Sequence, residues 1–251
     1  MTKVSLLEDE RIDQLFAQDI QIIQSLHVFS FSLDAVLLAD FVDETNNIHK
    51  KAVDLCAGNG AVGLFMSSKF KGRIIEVELQ QRLADMARRS VLLNDLSERI
   101  KVYNKDLNNA FDFLLKDNFD VVTCNPPYFA SLPQSKKNPN PYLAIARHEI
   151  KVTLKQVIQV TSGLLKMGGK AYFVHRPDRL LEILELMENN RLAPKKIKLI
   201  YPKKNKEANM VLIEAIKDGK KGGLKFLSPL VVYTNQNEYT SQVKRLLYGK
   251  C

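Results

Sequence analysis

Asn125-Pro126-Pro127-Tyr128 follows directly on the apolar run Phe119–Cys124. Two consecutive prolines fix two φ angles and remove two backbone donors, so the segment is a rigid, non-helical loop leaving a strand. An amide side chain and proline carbonyls supply acceptors beside an aromatic ring able to stack on something flat. Those parts suit a planar amino group and point to transfer of a group onto an amide or a nucleobase nitrogen. A purely structural Pro-Pro turn is the plainer alternative.

A second constellation lies upstream. Asp54-Leu55-Cys56-Ala57-Gly58-Asn59-Gly60 sits where a short strand turns into a helix. Its small residues let the backbone approach a ligand, and the helix start offers unpaired amides. The dinucleotide fingerprint G-x-G-x-x-G is not met: Gly58 and Gly60 are present, but Cys56 stands where a glycine is common. Glu78 closes the next strand, where an acid can bind both hydroxyls of a ribose. Asp106 follows the third, where a carboxyl group can accept from an adenine amine. Taken singly, Glu78 and Asp106 read as helix caps. Together the three strand ends outline an adenosine-shaped cleft at the carboxyl edge of a sheet.

The elements that must hold these residues alternate in type. Strands are expected at Lys51–Leu55, Arg73–Glu78, Ile100–Asn104 and Phe119–Cys124, and at residues 170–174, 195–201 and 210–216. Helices are expected after Gly60 to about residue 68 and at 80–94, 154–165 and 179–190. This is the βαβ pattern of an α/β fold with a mostly parallel sheet. The tail adds a strand at 230–233 and a helix at 239–248. Residues 11–24 read as amphipathic or mixed, and 35–41 as an apolar helix capped by Ser32 or Asp34. The long polar stretch 129–147, with Lys136 and Lys137, reads as a substrate loop. The expectation is one domain over 1–251, with residues 1–48 packing over the cofactor site and 49–251 forming the core.

Composition excludes several classes. At 251 residues, 45% hydrophobic and 26% charged, the chain reads as an ordinary soluble globular protein. It has no apolar run of membrane-spanning length and no signal-peptide core at its start, so no membrane partner is expected and a cytoplasmic location is. Cys56, Cys124 and Cys251 lack zinc-type spacing and read as reduced thiols; His27, His49 and His175 also lack ligand spacing, so no metal is expected. The net charge of +9 is concentrated: between Arg191 and Lys225 eleven Lys/Arg face three acids. Such clustering is the footprint of a polyanion-binding surface, against the alternative of a solvated lysine-rich face.

The order of motifs resembles the class I methyltransferases that use S-adenosylmethionine, and residues 125–128 match their amino-methylating branch. More narrowly, FSFSLDAVLLADF at 29–41, DLCAGNG at 54–60, NPPYF at 125–129 and ARHE at 146–149 resemble the bacterial tRNA1(Val) adenine-37 N6-methyltransferase family. VHRPDRL at 174–180 fits that family too, and the likeness runs over nearly the whole chain. It implies a Rossmann-like fold of about seven strands, helices on both faces and an antiparallel C-terminal edge. It also implies S-adenosylmethionine as cofactor, with Asp54, Gly58 and Gly60 at its methionine end, Glu78 at the ribose and Asp106 at the adenine. Asp34 would support that site and Asn125 would border cofactor and acceptor alike.

The implied activity is methyl transfer to the N6 of A37 in the anticodon loop of tRNA1(Val). Adenine N6 is a poor nucleophile, because its lone pair is delocalised into the ring. Asn125 Oδ1 and the Pro126 carbonyl would each accept one N6 hydrogen, held rigid by Pro127, while Tyr128 stacks on the base for ~1–3 kcal/mol. Phe129 would cover its other side, and no general base is needed. The expected RNA contacts are Lys136, Lys137, Arg147, Arg176, Arg179, Lys195, Lys196, Lys203, Lys204 and Lys206, with Arg147-His148-Glu149 alternatively a surface ion cluster. A monomer is expected. The alternatives are a release-factor glutamine N5-methyltransferase, another rRNA or DNA amino-methyltransferase, and a non-enzymatic RNA-binding protein. The first usually has an N-terminal helical domain, and a DNA enzyme usually carries extra sequence for target recognition.

Overall fold

The structure is a computed structural model that describes residues 4–25, 27–28, 32–129, 142, 144 and 149–249. Residues 11–24, mixed in pattern, belong to an antiparallel hairpin of β1 (Glu10–Leu15) and β2 (Ile20–Ser25). The reversal is a 3-10 turn at Phe16–Gln18 followed by Asp19 in the left-handed region at φ 54°, a conformation that Asp tolerates better than most residues. Tertiary contact explains why the mixed pattern resolves as strand. Ile22 and Ile23 are buried, the Ser90 hydroxyl accepts from the Ile23 amide at 2.9 Å, and Asn94 Oδ1 accepts from the Gln21 amide at 2.8 Å.

The chain continues through α1 (Leu33–Phe41), β3 (Lys51–Leu55), α2 (Ala61–Met66), β4 (Arg73–Glu78), α3 (Gln81–Leu93), β5 (Ile100–Asn104) and β6 (Phe119–Cys124). There follow α4 (Leu154–Leu164), β7 (Leu165–His175), α5 (Leu180–Asn189), β8 (Leu192–Tyr201), β9 (Met210–Lys217), β10 (Lys225–Phe226), β11 (Leu230–Val231) and α6 (Ser241–Tyr248). Local signals account for several boundaries. Thr153 and Gln156 form a reciprocal capping box at the start of α4. The apolar face of α3 buries Leu83, Met86, Ala87, Ser90 and Val91, so Ser90 and the Asn94 that follows the helix are placed to fasten the hairpin.

The large sheet runs β10–β8–β9–β7–β6–β3–β4–β5, and β11 also pairs with β8, giving nine strands. The seven long strands are those the pattern predicts; the short β10 and β11 extend the edge, and β11 covers only part of the stretch expected at 230–233. β7 starts earlier than expected, at Leu165, and passes a register shift on β6 between Phe119 and Val121. All neighbours are parallel except β9, which is antiparallel to both β7 and β8. Alternation along the strands divides the core. Ala52, Ile74, Val121 and Val174 pack under α1 and α2 on one face, while Val53, Leu55, Val122 and Phe173 pack under α4 and α5 on the other. No helix among the described residues is long and apolar enough to cross a membrane.

Two consequences of this topology position the site. After β3 the chain winds outward to β4 and β5, then returns to β6 on the other side of β3. A crevice opens at the carboxyl ends where that order reverses. Because β9 runs backwards, the connection at 202–209 between β8 and β9 emerges at the same edge, beside His175, which pairs with Val211.

Candidate active site

A cleft of about 870 Å³, its open mouth included, lies at the carboxyl ends of β3, β4, β5 and β6. Gly58, Glu78 and Asp106 line it, as do Asp34 and Asn125, between apolar walls that include Leu79, Leu107 and Val152. The turn after β3 needs a left-handed backbone at three places: Gly58 at φ 59°, Gly60 at φ 84° and Cys56 at φ 57°. Glycine meets that requirement freely and cysteine does not, so Cys56 is held there by its surroundings. The residue borders the cleft, and its side chain packs against the core beside Cys124.

Glu78 is buried, and its carboxyl group organises the turn. Oε2 accepts from the Gly58 amide at 2.8 Å and Oε1 from the Gln80 amide at 2.7 Å. Burial raises its pKa, and the amide hydrogen bonds oppose that rise. Asp106 caps the 3-10 helix Leu107–Asp112: its Oδ1 accepts from the Asn108 amide at 2.9 Å while the residue lines the cleft. The capping and the ligand-facing readings therefore coexist at that position.

Asp54 and Gly60 lie behind the cleft rather than on its wall. Asp54 is 1% exposed and accepts from the Thr123 hydroxyl at 2.7 Å. Burial pushes it up to about 7, against the Thr123 hydrogen bond and with the help of nearby Glu78. Beside it in register stands Glu76, fully buried, both oxygens without a hydrogen-bond partner. Burial first and Asp54 second raise Glu76 well above the usual carboxyl range. Gly63 of α2 rests on this group: a Cβ there would lie 2.2 Å from Glu76 Oε1. Sequence reasoning passed over Glu76. The signal was an acid alternating onto the same face as Ile74 and Glu78, under a helix with a glycine on its inner side.

The acceptor loop closes the other end of the cleft. Pro126 and Pro127 are buried and Asn125 is half-buried. The Tyr128 hydroxyl lies 2.7 Å from Asp34 Oδ2 and 2.6 Å from Asn125 Oδ1. Burial, reinforced by Asp34, raises the phenol well above its ordinary range, so it stays protonated. Asp34 is fixed in turn: its Oδ1 accepts from the Ser32 hydroxyl at 2.6 Å and from the Ala35 amide at 2.8 Å. It thus takes the capping bond at the start of α1, while the Ser32 hydroxyl makes none.

The Tyr128 ring packs on His175, centroids 5.2 Å apart. His175 is buried, its Nδ1 accepts from the Arg176 amide, and burial, then Arg179, lowers it to about 4. The neutral imidazole thus backs the 125–128 loop from the end of β7. Arg176 lies over the Phe129 ring at 5.7 Å.

The expected basic residues separate by position. Lys204 and Lys206 are exposed and Lys203 half-buried, all in the connection that shares the acceptor edge. Lys195 donates to the carbonyls of Lys220 and Gly222. Lys196, which pairs in register with Glu214, is bonded to that carboxyl group at 2.8 Å and lies 3.3 Å from Asp43, well back from the acceptor edge. Arg179 is paired with Glu149 and Glu182. Lys136, Lys137 and Arg147 lie outside the described residues, as do residues 29–31 and 146–148 of the expected motifs; the Glu149 amide donates to the Phe129 carbonyl at 2.8 Å. No cluster with metal-ligand character occurs among the described residues.

Residues 19–191 match the family model described as the methyltransferase small domain. The chain belongs to that family. Proteins named tRNA1(Val) (adenine(37)-N6)-methyltransferase are similar to it: one from Cytophaga hutchinsonii is 30% identical over 49% of this chain and 50% of its own length. Another, from a Shewanella species, is 27% identical over 72% of this chain and 74% of its own. A release factor glutamine methyltransferase from Bifidobacterium longum is 31% identical over 57% of this chain and 54% of its own. The match thus spans half of the Cytophaga protein and of the Bifidobacterium protein little more. Among solved structures, a predicted O-methyltransferase from Agrobacterium tumefaciens superposes with a TM-score of 0.68 at 27% identity, covering 86% of this chain and 96% of that one.

This methyltransferase uses S-adenosylmethionine, and the cleft is compatible with it: apolar walls, acids at Glu78 and Asp106, and a glycine turn that allows close approach. The cofactor supplies an electrophilic methyl group on a sulfonium. The chain's own residues bind and orient the two reactants and hold them out of bulk water.

Proposed function

We propose that this methyltransferase methylates the exocyclic N6 of adenine in tRNA, at A37 in the anticodon loop of tRNA1(Val). The observation that carries the reading is the shared edge. The acceptor loop at 125–128 and the lysines at 203, 204 and 206 emerge at one side of the sheet, so a base presented to Asn125 has its phosphates beside positive charge. A base in an anticodon loop is already unpaired and can be splayed into a pocket at small cost. Asn125 Oδ1 would accept one N6 hydrogen, and the aromatic and proline surfaces would hold the ring. Glu78 and Asp106 would hold the cofactor's ribose and adenine; Gly58 would let its methionine end approach, with Asp54 and Gly60 supporting that turn from behind. The proposed RNA surface is Lys203, Lys204, Lys206 and Arg176; Lys195, Lys196 and Arg179 are engaged within the fold. The names of the Cytophaga and Shewanella relatives support the substrate.

The Bifidobacterium relative supports a second reading, methylation of a glutamine amide, which also presents a planar NH2. One assay separates them. The protein is incubated with labelled S-adenosylmethionine and either unmodified tRNA, DNA or a release factor, and the label is mapped. Label on adenine N6 of tRNA is expected; label on glutamine, or none on any nucleic acid, overturns the reading. Asn125→Ala should abolish transfer while cofactor affinity persists, and a variant of near-full activity would remove Asn125 from the chemistry.

A further inference from the structure

Cys56 and Cys124 are the cysteines of the described residues, both free, and methyl transfer at the cleft calls on neither thiol. Cys124 closes β6 in register with Leu55, so Cys56 stands one residue beyond that partner on the adjacent strand. With parallel strands ~4.8 Å apart and ~3.8 Å between successive Cα atoms, the two Cα atoms are about 6 Å apart, inside the ~4.4–6.8 Å that a disulfide spans. Strand alternation alone would turn Cys56 to the face opposite Leu55 and Cys124. The left-handed φ of 57° breaks the alternation, and Cys56 packs in the same core as Cys124, near enough for the two thiols to interact. Their surroundings differ. Cys124 is buried, whereas Cys56 is half-buried and borders the cleft, so a small solute that enters there meets Cys56 first.

We propose that this pair is an oxidation site: hydrogen peroxide converts Cys56 to a sulfenic acid, Cys124 closes a disulfide on it, and the closed bond weakens cofactor binding. In the first step the Cys56 sulfur attacks one peroxide oxygen, the O–O bond breaks and one water leaves. In the second the Cys124 sulfur attacks the Cys56 sulfur and the S–O bond breaks. The Cys124 proton departs with that oxygen as a second water. The two thiols lose two electrons and peroxide gains them. Burial raises the Cys124 thiol well above its ordinary range, which slows it as a nucleophile, but a partner already beside it removes the need for an encounter.

The bond would tie the turn that carries Gly58 to the residue before Asn125. Closing the sulfurs to ~2.05 Å pulls on that turn from the β6 side, while Glu78 holds the Gly58 amide from the β4 side. The turn then loses the shape that lets its backbone approach a ligand. Reduction by a dithiol restores it through thiol–disulfide exchange. None of this depends on which acceptor the enzyme methylates.

The full chain is treated with hydrogen peroxide, free thiols are blocked, and the unreduced peptides are mapped by mass spectrometry. A peptide linking Cys56 to Cys124, lighter by two hydrogens than the separate thiols and lost with dithiothreitol, is expected. Calorimetric affinity for S-adenosylhomocysteine should fall about tenfold or more in the oxidised protein and return on reduction. By reciprocity, saturating S-adenosylhomocysteine should raise the potential of the pair by about 30 mV for a tenfold loss, since the ligand favours the reduced form. Cys251→Ser should behave as the wild type. Dimedone should trap a sulfenic acid on Cys56 in Cys124→Ala.

Peroxide that leaves Cys56 and Cys124 unlinked, or joins either one only to Cys251, overturns the site, and that map needs no variant to fold. A dimedone adduct on Cys124 in Cys56→Ser overturns entry through the cleft. Equal affinities of the oxidised and reduced proteins overturn the control of cofactor binding.

Discussion

Asp54, Glu76 and Glu78 place three carboxyl groups against the underside of one glycine turn, each with its pKa raised by burial. An acid that binds its proton more tightly when folded stabilises the protein most below its unfolded pKa, and that contribution is lost as pH rises through the folded value. For Asp54 the window runs from 3.8 to about 7. Stability of the cofactor-free protein should therefore fall across it, and Asp54→Asn should gain on the wild type as pH climbs. Urea unfolding of both proteins at about pH 5 and about pH 8 measures this. Subtracting the variant also removes His175, which pulls the opposite way between about 4 and 6.5. Equal wild-type-to-variant differences at the two pH values would show that Asp54 does not titrate as described.

At the scale of elements, α2 is seated on Glu76 through Gly63 and Gly60. Gly63→Ala should cost ~1–3 kcal/mol, because the Cβ would enter the space of a buried carboxyl group packed on all sides. Shortening that group in Glu76→Ala should recover part of the loss in the double variant, and thermal unfolding of the four proteins of the cycle would measure the coupling. Additive losses would mean that the glycine is required for another reason. The same scale shows what the sequence could and could not reveal. Strand ends, the glycine turn, Glu78, Asp106 and the Pro-Pro loop are written in contiguous residues, and each occupies the element expected for it. The meeting of Asp34 with Tyr128, 94 residues apart, is not local and carries no pattern of its own. Nor does the pairing of Lys196 with Glu214 and Asp43, which engages that lysine within the fold. The hairpin at 10–25 was obscured for a related reason: its strands are fixed by α3, not by their own alternation.

Over the whole molecule, Lys203, Lys204 and Lys206 of the basic stretch share an edge with the 125–128 loop, which the tRNA reading uses. RNA affinity should fall steeply with salt, and replacing Lys203, Lys204 and Lys206 together by alanine should reduce the slope of log K against log salt by about 2, at ~0.7 per single-strand phosphate lost. Lys196→Ala should leave the slope unchanged. Filter binding over a salt series distinguishes them, and an unaltered slope in the triple variant would place the RNA elsewhere.

The hairpin β1–β2 has a consequence of its own. Arg89 grips Glu10 through both carboxyl oxygens, at 2.6 and 2.8 Å, and the Asn59 side chain of the glycine turn donates to the Ile23 carbonyl at 3.1 Å. The first strands of the chain are thus a buttress of the ligand-binding turn. Truncation into β1 should therefore loosen the turn and weaken S-adenosylhomocysteine binding, read by calorimetry against the full chain.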